Sequence, residues 1–285
     1  MADKSFEDKF IAFVDLIGFK ALIEQAERSE GRSLDEVREV LRELARQESK
    51  DFFKKHGPMI CPYSACIHNH LSFQITQVGG CAVISAEVSP AGIINLIDHC
   101  RRAAIRLLNR GVMVRGYIMR GYVVHDDTTL IKPGHQNAGT KEEGVTAFKK
   151  RADENGTPFM EVEQAVFRYI ENQDNACVRG MFSRMVASDW GVSALFPFRR
   201  LSHSFFIGGF GLRPFNPEKE KQNNAMVRLN IRMLIERVNR HVARDNPSAL
   251  RKTRHYVAAL EEQLRACDLT DGMIDRLFYP IVLKT

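Results

Sequence analysis

The stretch FIAFVDLIGF, residues 10–19, decides how the rest of the chain is interpreted. Its apolar beginning, rich in Phe, Ile and Val, predicts a buried β-strand, and Asp15 stands near the end of that strand. A carboxylate in apolar surroundings is costly unless it is paired with a positive charge or bound to a metal ion. Alternatively, Asp15 caps the helix that follows. The stretch by itself leaves both hypotheses open.

The bulk composition favours a globular protein with an anionic ligand. The chain has 285 residues, of which 44% are hydrophobic, so it can bury a sizeable core. No run approaches the ~20 apolar residues of a membrane span, and the charged N-terminus lacks the apolar segment of a secretory signal. We therefore expect a cytoplasmic protein whose six cysteines are free thiols. The net charge of +6 suits a nucleotide and would equally suit nonspecific nucleic-acid contact.

Strand and helix signals alternate along the chain and predict an α+β fold. The stretch FQITQVGGCAVISAEV, residues 73–88, predicts a β-hairpin because two β-rich runs flank Gly79-Gly80. Ser89-Pro90 then predicts the start of a long helix. We place a core over residues 1–175 and a strand and helical region over residues 176–285, in which two helices each begin at Asn-Pro.

Several stretches resemble known nucleotide cyclases. A strand ending in Asp-x-x-Gly-Phe, followed by a helix and a tight hairpin, resembles the catalytic core of the class III nucleotide cyclases. Longer stretches are similar to the pyrimidine cyclases of the bacterial Pycsar antiphage system, particularly the uridylate cyclases. They are FIAFVDLIGFKALIEQAE (10–27), FQITQVGGCAVISAEVSPAGIINLIDHC (73–100), RGYIMRG (115–121), VTAFKKRADENGTPFMEV (145–162), MFSRMV (181–186) and ALFPFRRLSHSF (194–205).

The resemblance implies a fold, a reaction and partners. The implied fold is a ferredoxin-like class III cyclase core with a helical C-terminal extension, assembled as a homodimer with shared active sites. The implied reaction is a lyase reaction that converts UTP to 3′,5′-cyclic UMP and pyrophosphate with Mg²⁺ or Mn²⁺ as cofactor. Cyclic UMP would be an antiviral defence signal read by a separate effector, and neither a membrane nor a nucleic acid is an expected partner.

The resemblance also assigns site residues. Asp15 and Arg115 are the implied catalytic residues, and Asp15 and the backbone of Ile17 are the implied metal ligands. The turn that would aim backbone N–H groups at the triphosphate comprises Leu16, Ile17, Gly18 and Phe19. A guanidinium fork matches phosphate, so Arg115 is expected either to bind phosphate or to pair with an acid on a neighbouring strand. Arg120 is expected to be structural.

Base recognition is predicted at the strand that enters the hairpin. Gln74 and Thr76 lie on one face of that strand, and an amide can both donate to and accept from a uracil edge. Tyr63 is a candidate to close the pocket against purines. Thr146 and Lys150 have the spacing of the Asn and Arg with which cyclases stabilise the transition state, although both residue types differ.

Gly80 departs from the family pattern. Family members carry a second metal-binding Asp at this hairpin position, and here it is glycine. The alternative function is therefore a degenerate cyclase-like protein that binds nucleotide, or only dimerises, with little or no turnover. Glu87, Asp98, Asp126 and Asp127 are candidates to replace the absent acid. On this alignment, Gly80→Asp is expected to raise activity with Mg²⁺.

Three other interpretations are weaker. The stretch CPYSACIHNH, residues 61–70, holds Cys and His residues in adjacent pairs, unlike the separated pairs of common zinc sites. The Gly-Gly hairpin lacks the acids of the diguanylate cyclase signature. A basic C-terminal helix around residues 228–244 is more typical of a solvated or interface helix than of an RNA-binding surface, because no aromatic platform accompanies it.

Overall fold

A computed structural model describes residues 5–64, 70–126, 130–131, 159–189, 192–195, 216–240 and 247–278. The chain divides into two compact units, Met1–Pro197 and Phe198–Thr285. The first unit extends beyond the predicted core boundary at residue 175 because two further strands join its sheet. The helix predicted around residues 141–156 lies outside the described residues.

The first unit has an α+β fold, as predicted. Its strands are β1 (Glu7–Leu16), β2 (Phe73–Val78), β3 (Cys81–Glu87), β4 (Val114–His125), β5 (Leu130–Ile131), β6 (Phe159–Val162), β7 (Val186–Asp189) and β8 (Val192–Leu195). Its described helices are α1 (Phe19–Glu27), α2 (Leu34–Leu44), α3 (Glu48–His56), α4 (Pro90–Asn109), α5 (Gln164–Glu171) and α6 (Ala176–Ser183).

Local signals explain where the main helices begin. Ser33 and Glu36 form a reciprocal capping box at the start of α2, and the Ser89 hydroxyl accepts from the N–H of Gly92 at the start of α4. Two helices follow from this capping box to His56, α2 and α3, with a break after Leu44. That break turns Phe53 into the core, where it is buried.

The strands form one sheet in the order β2-β3-β1-β4-β6-β8-β7, and β5 pairs with β4. Neighbouring strands are antiparallel except for β4 and β6, which are parallel. Strand β1 lies between β3 and β4, and its register sets Asp15 opposite both Cys81 and Arg115. The apolar stretch at residues 10–16 is therefore part of a buried strand, as predicted, and this strand lies inside the sheet.

The two faces of the sheet have different roles. Phe10, Ala12 and Val14 on β1 are buried in the main core together with the apolar side of α4. Since side chains alternate along a strand, Ile11, Phe13 and Asp15 lie on the opposite face, which we call the Asp15 face. A smaller apolar cluster on the Asp15 face contains Ile11 and Phe13.

The predicted hairpin is confirmed. Val78 on β2 pairs with Cys81 on β3, so the loop between the two strands consists of Gly79 and Gly80. Gly79 has a φ of 58°, whereas Gly80 does not have a positive φ. A positive φ at the first loop residue alone is the pattern of a type II′ turn, which matches the twist of the flanking strands.

The second unit contains two described helices, α7 (Pro217–Arg240) and α8 (Pro247–Phe278), that pack antiparallel. The buried positions of α8 alternate between three- and four-residue steps, as in a coiled-coil seam. They are Thr253, Tyr256, Leu260, Gln263, Cys267, Thr270 and Ile274. Buried Asn224 on α7 donates to the Cys267 carbonyl at 2.8 Å and to Asp271 Oδ1 at 2.6 Å, and such a pairing fixes the register. Both helices begin at the predicted Asn-Pro positions.

Among the described helices, none combines the length and the apolar character needed to span a bilayer.

A buried histidine in α4 makes the first unit sensitive to acid. His99 is 1% exposed, with Nδ1 at 2.9 Å from Ser49 Oγ and its ring against the edge of Phe73. Burial, reinforced by the positive charge of Arg106, lowers the pKa of His99 to about 3, although Asp98 opposes the shift. An unfolded histidine titrates near pH 6.5, so the unfolded chain binds one more proton than the folded chain between these values.

We expect His99 to remove stability as the pH falls from about 6.5 towards about 3. Between pH 8 and pH 5 its contribution is a loss of about 2 kcal/mol in the free energy of unfolding. Urea unfolding at pH 8 and at pH 5 measures the loss in the free energy of unfolding. This loss should be about 2 kcal/mol smaller in His99→Asn, whose side chain keeps a polar group for Ser49. His56→Asn, at an exposed histidine, is the control. An identical pH dependence in wild type and His99→Asn would contradict the prediction.

Candidate active site

Asp15 and Arg115 form an ion pair on the Asp15 face. The antiparallel register of β1 and β4 sets them opposite each other, and Arg115 Nε donates to Asp15 Oδ2 at 3.0 Å. The Asp15 side chain is 31% exposed and the Arg115 side chain 18% exposed, so both remain reachable. Of the two expectations for Arg115, the pairing with an acid on a neighbouring strand is the one observed. Asp15 does not cap the next helix, because the N-cap of α1 is Gly18.

The turn after β1 provides fewer phosphate donors than predicted. Leu16 N–H donates to the Gly80 carbonyl at 3.0 Å, and Ile17 N–H donates to the Met113 carbonyl at 2.9 Å. These two groups hold the turn against its neighbours and are therefore not available to a triphosphate. Any donors from the turn come from Gly18 and Phe19 at the start of α1. Gly18 adopts the left-handed conformation, with φ 78°, which a residue with a side chain rarely tolerates.

The side chain of Phe19 covers Gly80. A Cβ atom built on Gly80 would lie 2.4 Å from Phe19 Cγ and 2.5 Å from Cδ1. The position where the family pattern has a second acid is therefore in contact with an aromatic ring. A side chain at Gly80 requires Phe19 to move, so the predicted gain of activity from Gly80→Asp alone is not expected from this geometry.

Two of the candidate replacement acids, Glu87 and Asp98, have partners elsewhere in the fold. Glu87 lies opposite Lys9, far along β3 from the hairpin, and accepts from Ser89 Oγ and Ser72 N–H. Asp98 is buried on α4 in contact with two arginines, Arg101 and Arg102. Asp126 directly follows His125 at the end of β4, and Asp127 lies outside the described residues. No cluster of three or more His, Cys, Asp or Glu residues suitable for a metal occurs in the described part of the chain.

The donor set around Asp15 limits how a metal could be held. Mg²⁺ is usually bound through one or two carboxylates together with substrate phosphate oxygens. A single carboxylate that contacts a guanidinium fits an ion that arrives with a triphosphate. It does not fit a two-metal site assembled from protein ligands before the substrate binds.

The two predicted base-reading residues both lie on the Asp15 face, and both have partners. Gln74 Oε1 accepts from Lys50 Nζ at 2.7 Å. Thr76 Oγ1 lies 2.9 Å from Nε2 of His125, whose Nδ1 lies 2.8 Å from Ser85 Oγ. The importance of His125 was not predicted, because only the pairing of four strands brings it near Thr76. The available signal was a histidine at the end of the strand that also carries Arg115 and Arg120.

Of the remaining predicted residues, the structure describes Arg120 and Tyr63. Arg120 donates to Asp8 from Nε at 3.0 Å and from Nη2 at 2.7 Å, which raises the pKa of Arg120 and agrees with a structural role. Tyr63 is 90% exposed and so does not wall off a pocket within this chain. Thr146 and Lys150 lie outside the described residues.

Comparison with known proteins adds no assignment. No protein-family model matches the chain, and no curated protein matches it at a significant level. The interpretation of the site therefore rests on its geometry and on the sequence resemblance described above.

Proposed function

We propose that this protein is a nucleotide cyclase that converts UTP to 3′,5′-cyclic UMP and pyrophosphate. The observation that carries the proposal is the meeting of Asp15 and Arg115 on one sheet face beside the Gly79-Gly80 hairpin. The order β2-β3-β1-β4, in which helices separate β1 from β2 and β3 from β4, agrees with a ferredoxin-like β-α-β-β-α-β arrangement. That agreement supports the class III cyclase core implied by the resemblance.

In this proposal Asp15 would hold Mg²⁺ or Mn²⁺ together with the triphosphate oxygens. When bound, the ion supplies neutralisation of the triphosphate and a lower pKa for the attacking 3′-hydroxyl. Arg115 exchanges the Asp15 carboxylate for a phosphate oxygen, because its planar fork matches either anion. Without nucleotide, the ion pair keeps the guanidinium extended along the Asp15 face. The start of α1 offers the Gly18 and Phe19 N–H groups to the same phosphates.

The proposal also covers the oligomeric state of the enzyme, its location and the use of its product. The enzyme acts as a homodimer with shared sites, in the cytoplasm, and its product signals phage infection to a separate effector. Since the hairpin position expected to carry a second acid is Gly80, activity is expected to require high concentrations of the divalent ion. Incubation with each of the four nucleoside triphosphates and either ion, followed by mass spectrometry, tests the reaction. Absence of any cyclic nucleotide would overturn it.

Arg115→Gln should lower kcat for cyclic UMP formation by about 100-fold, because a positive donor to the developing phosphate charge is lost. Arg120→Gln is the matched control, since Arg120 also pairs with a β1 aspartate, Asp8, across the same two strands. The control should stay within a few-fold of wild type. Equal losses in both variants would show that Arg115 acts only through the fold.

A second candidate function is a cyclase-like protein that binds nucleotide without efficient turnover. The observation that favours it is the contact between Phe19 and Gly80, because the ring occupies the space that a second acid at position 80 would need. Calorimetric titration with UTP and Mg²⁺ separates the two candidates. Binding of UTP without formation of cyclic UMP would support the second candidate over the first.

A further inference from the structure

Three polar side chains form a hydrogen-bonded chain across the Asp15 face. Ser85 on β3 contacts His125 Nδ1 at 2.8 Å, and His125 Nε2 contacts Thr76 Oγ1 on β2 at 2.9 Å. Ser85 is 1% exposed and His125 is 4% exposed, whereas Thr76 is only partly buried. The chain therefore runs from a buried hydroxyl to one that can contact a ligand.

The buried end sets the direction of these hydrogen bonds. A buried hydroxyl hydrogen without an acceptor is costly, and within the described residues His125 Nδ1 is the hydrogen-bond partner of Ser85. Ser85 therefore donates to Nδ1, which makes Nδ1 an acceptor. The ring proton is then on Nε2, and Nε2–H donates to Thr76 Oγ1. The other tautomer and the doubly protonated ring both place a hydrogen on Nδ1, which leaves the Ser85 hydrogen without this acceptor.

The consequence is a defined role for the Thr76 hydroxyl. Because Thr76 Oγ1 accepts from His125, its own hydrogen is directed away from His125 and can be donated to a ligand. We propose that Thr76 donates this hydrogen to the O4 carbonyl of uracil, and that Ser85 and His125 position it to do so. Cytosine has an amino group at this place, which cannot accept the hydrogen. The inference rests on the proposed function for the nucleotide class, and it names the residues by which the site would select UTP over CTP.

The position of Thr76 relative to Asp15 suits the two ends of a nucleotide. Thr76 lies opposite Val83, Asp15 lies opposite Cys81, and all four residues belong to the Asp15 face. Strand spacing and rise separate Asp15 from Thr76 by about 12 Å. This separation leaves room for a ribose between a base at Thr76 and phosphates near Asp15.

The first test observes the tautomer directly and needs no nucleotide. Two-bond ¹H–¹⁵N correlation spectra of the histidine rings, with the His125 signals assigned from their loss in His125→Gln, report which ring nitrogen carries the hydrogen. We expect hydrogen on Nε2 and not on Nδ1 at neutral pH. Hydrogen on Nδ1 would overturn the inference. In Ser85→Ala, where the acceptor role of Nδ1 is no longer enforced, the Nδ1–H form should become populated.

The second test measures calorimetric affinities for UTP and CTP in the presence of Mg²⁺. Thr76→Val should reduce the preference for UTP by about tenfold, the value of one hydrogen bond, and Thr76→Ser should retain the preference. Ser85→Ala should also reduce it, whereas Ser193→Ala, at a buried serine on β8, should not. Calorimetry measures binding and does not require turnover. If the protein forms no cyclic nucleotide but the variants still change the preference for UTP over CTP as expected, the cyclase proposal fails and the inference about Thr76 is supported. Formation of cyclic UMP with an unchanged preference in Thr76→Val, or binding of neither nucleotide, would overturn it.

Discussion

Replacing Asp15 by Asn should lower the initial rate of cyclic UMP formation by at least about 100-fold, in Mg²⁺ and in Mn²⁺. The substitution removes the one carboxylate that the described residues bring to the site, while the amide oxygen can still accept from Arg115 Nε. The fold should therefore persist, and the loss should appear in the rate. Product formation followed by chromatography across a titration of the divalent ion measures it.

Asp8 provides a matched control on the same strand. It also pairs with an arginine of β4, and its side chain has a similar exposure, 29% against 31% for Asp15. Asp8→Asn should leave the rate within a few-fold of wild type, since Asp8 lies at the other end of β1. If Asp8→Asn were as inactive as Asp15→Asn, the losses would reflect damage to the sheet. If Asp15→Asn kept more than a tenth of the activity, the assignment of Asp15 would be wrong.

Local sequence signals were sufficient for the elements that position the site. The alternation in β1, the Gly-Gly hairpin and the Ser89-Pro90 start of α4 each depend on residues that are close in the chain, and each is observed. The partner of Asp15 could not be predicted in the same way. Arg115 is 100 residues away, and only the register of β1 against β4 selects it over Arg120.

Contacts between side chains that are distant in the chain also could not be predicted from the sequence. The pattern identified Gly80 as the position of an absent acid but did not show that Phe19 covers this position. The contact of Phe19 with Gly80 joins two separate turns, so neither turn reveals it. His125 is likewise 40 and 49 residues from its partners Ser85 and Thr76.

Space at Gly80 controls whether a second acid can be restored. We expect Gly80→Asp alone to give no gain in activity and to lower stability by about 1–3 kcal/mol, because its Cβ overlaps the Phe19 ring. The double variant Gly80→Asp with Phe19→Ala removes the overlap and leaves the new carboxylate beside the turn that follows Asp15. Leu16 N–H, which donates to the Gly80 carbonyl, keeps the two turns together in both variants.

In the double variant, the Mg²⁺ concentration that gives half of the maximal rate should fall at least about tenfold relative to Phe19→Ala alone. A second anionic oxygen strengthens binding of a hard divalent ion and leaves the triphosphate better oriented for attack. Gly80→Asn with Phe19→Ala is the uncharged control and should not show the shift. Rates of cyclic UMP formation across a Mg²⁺ titration, with thermal unfolding to verify the fold, decide the outcome. An unchanged Mg²⁺ dependence in the folded double variant would mean that the hairpin tip is not a metal position, because the charge would then be present without an effect.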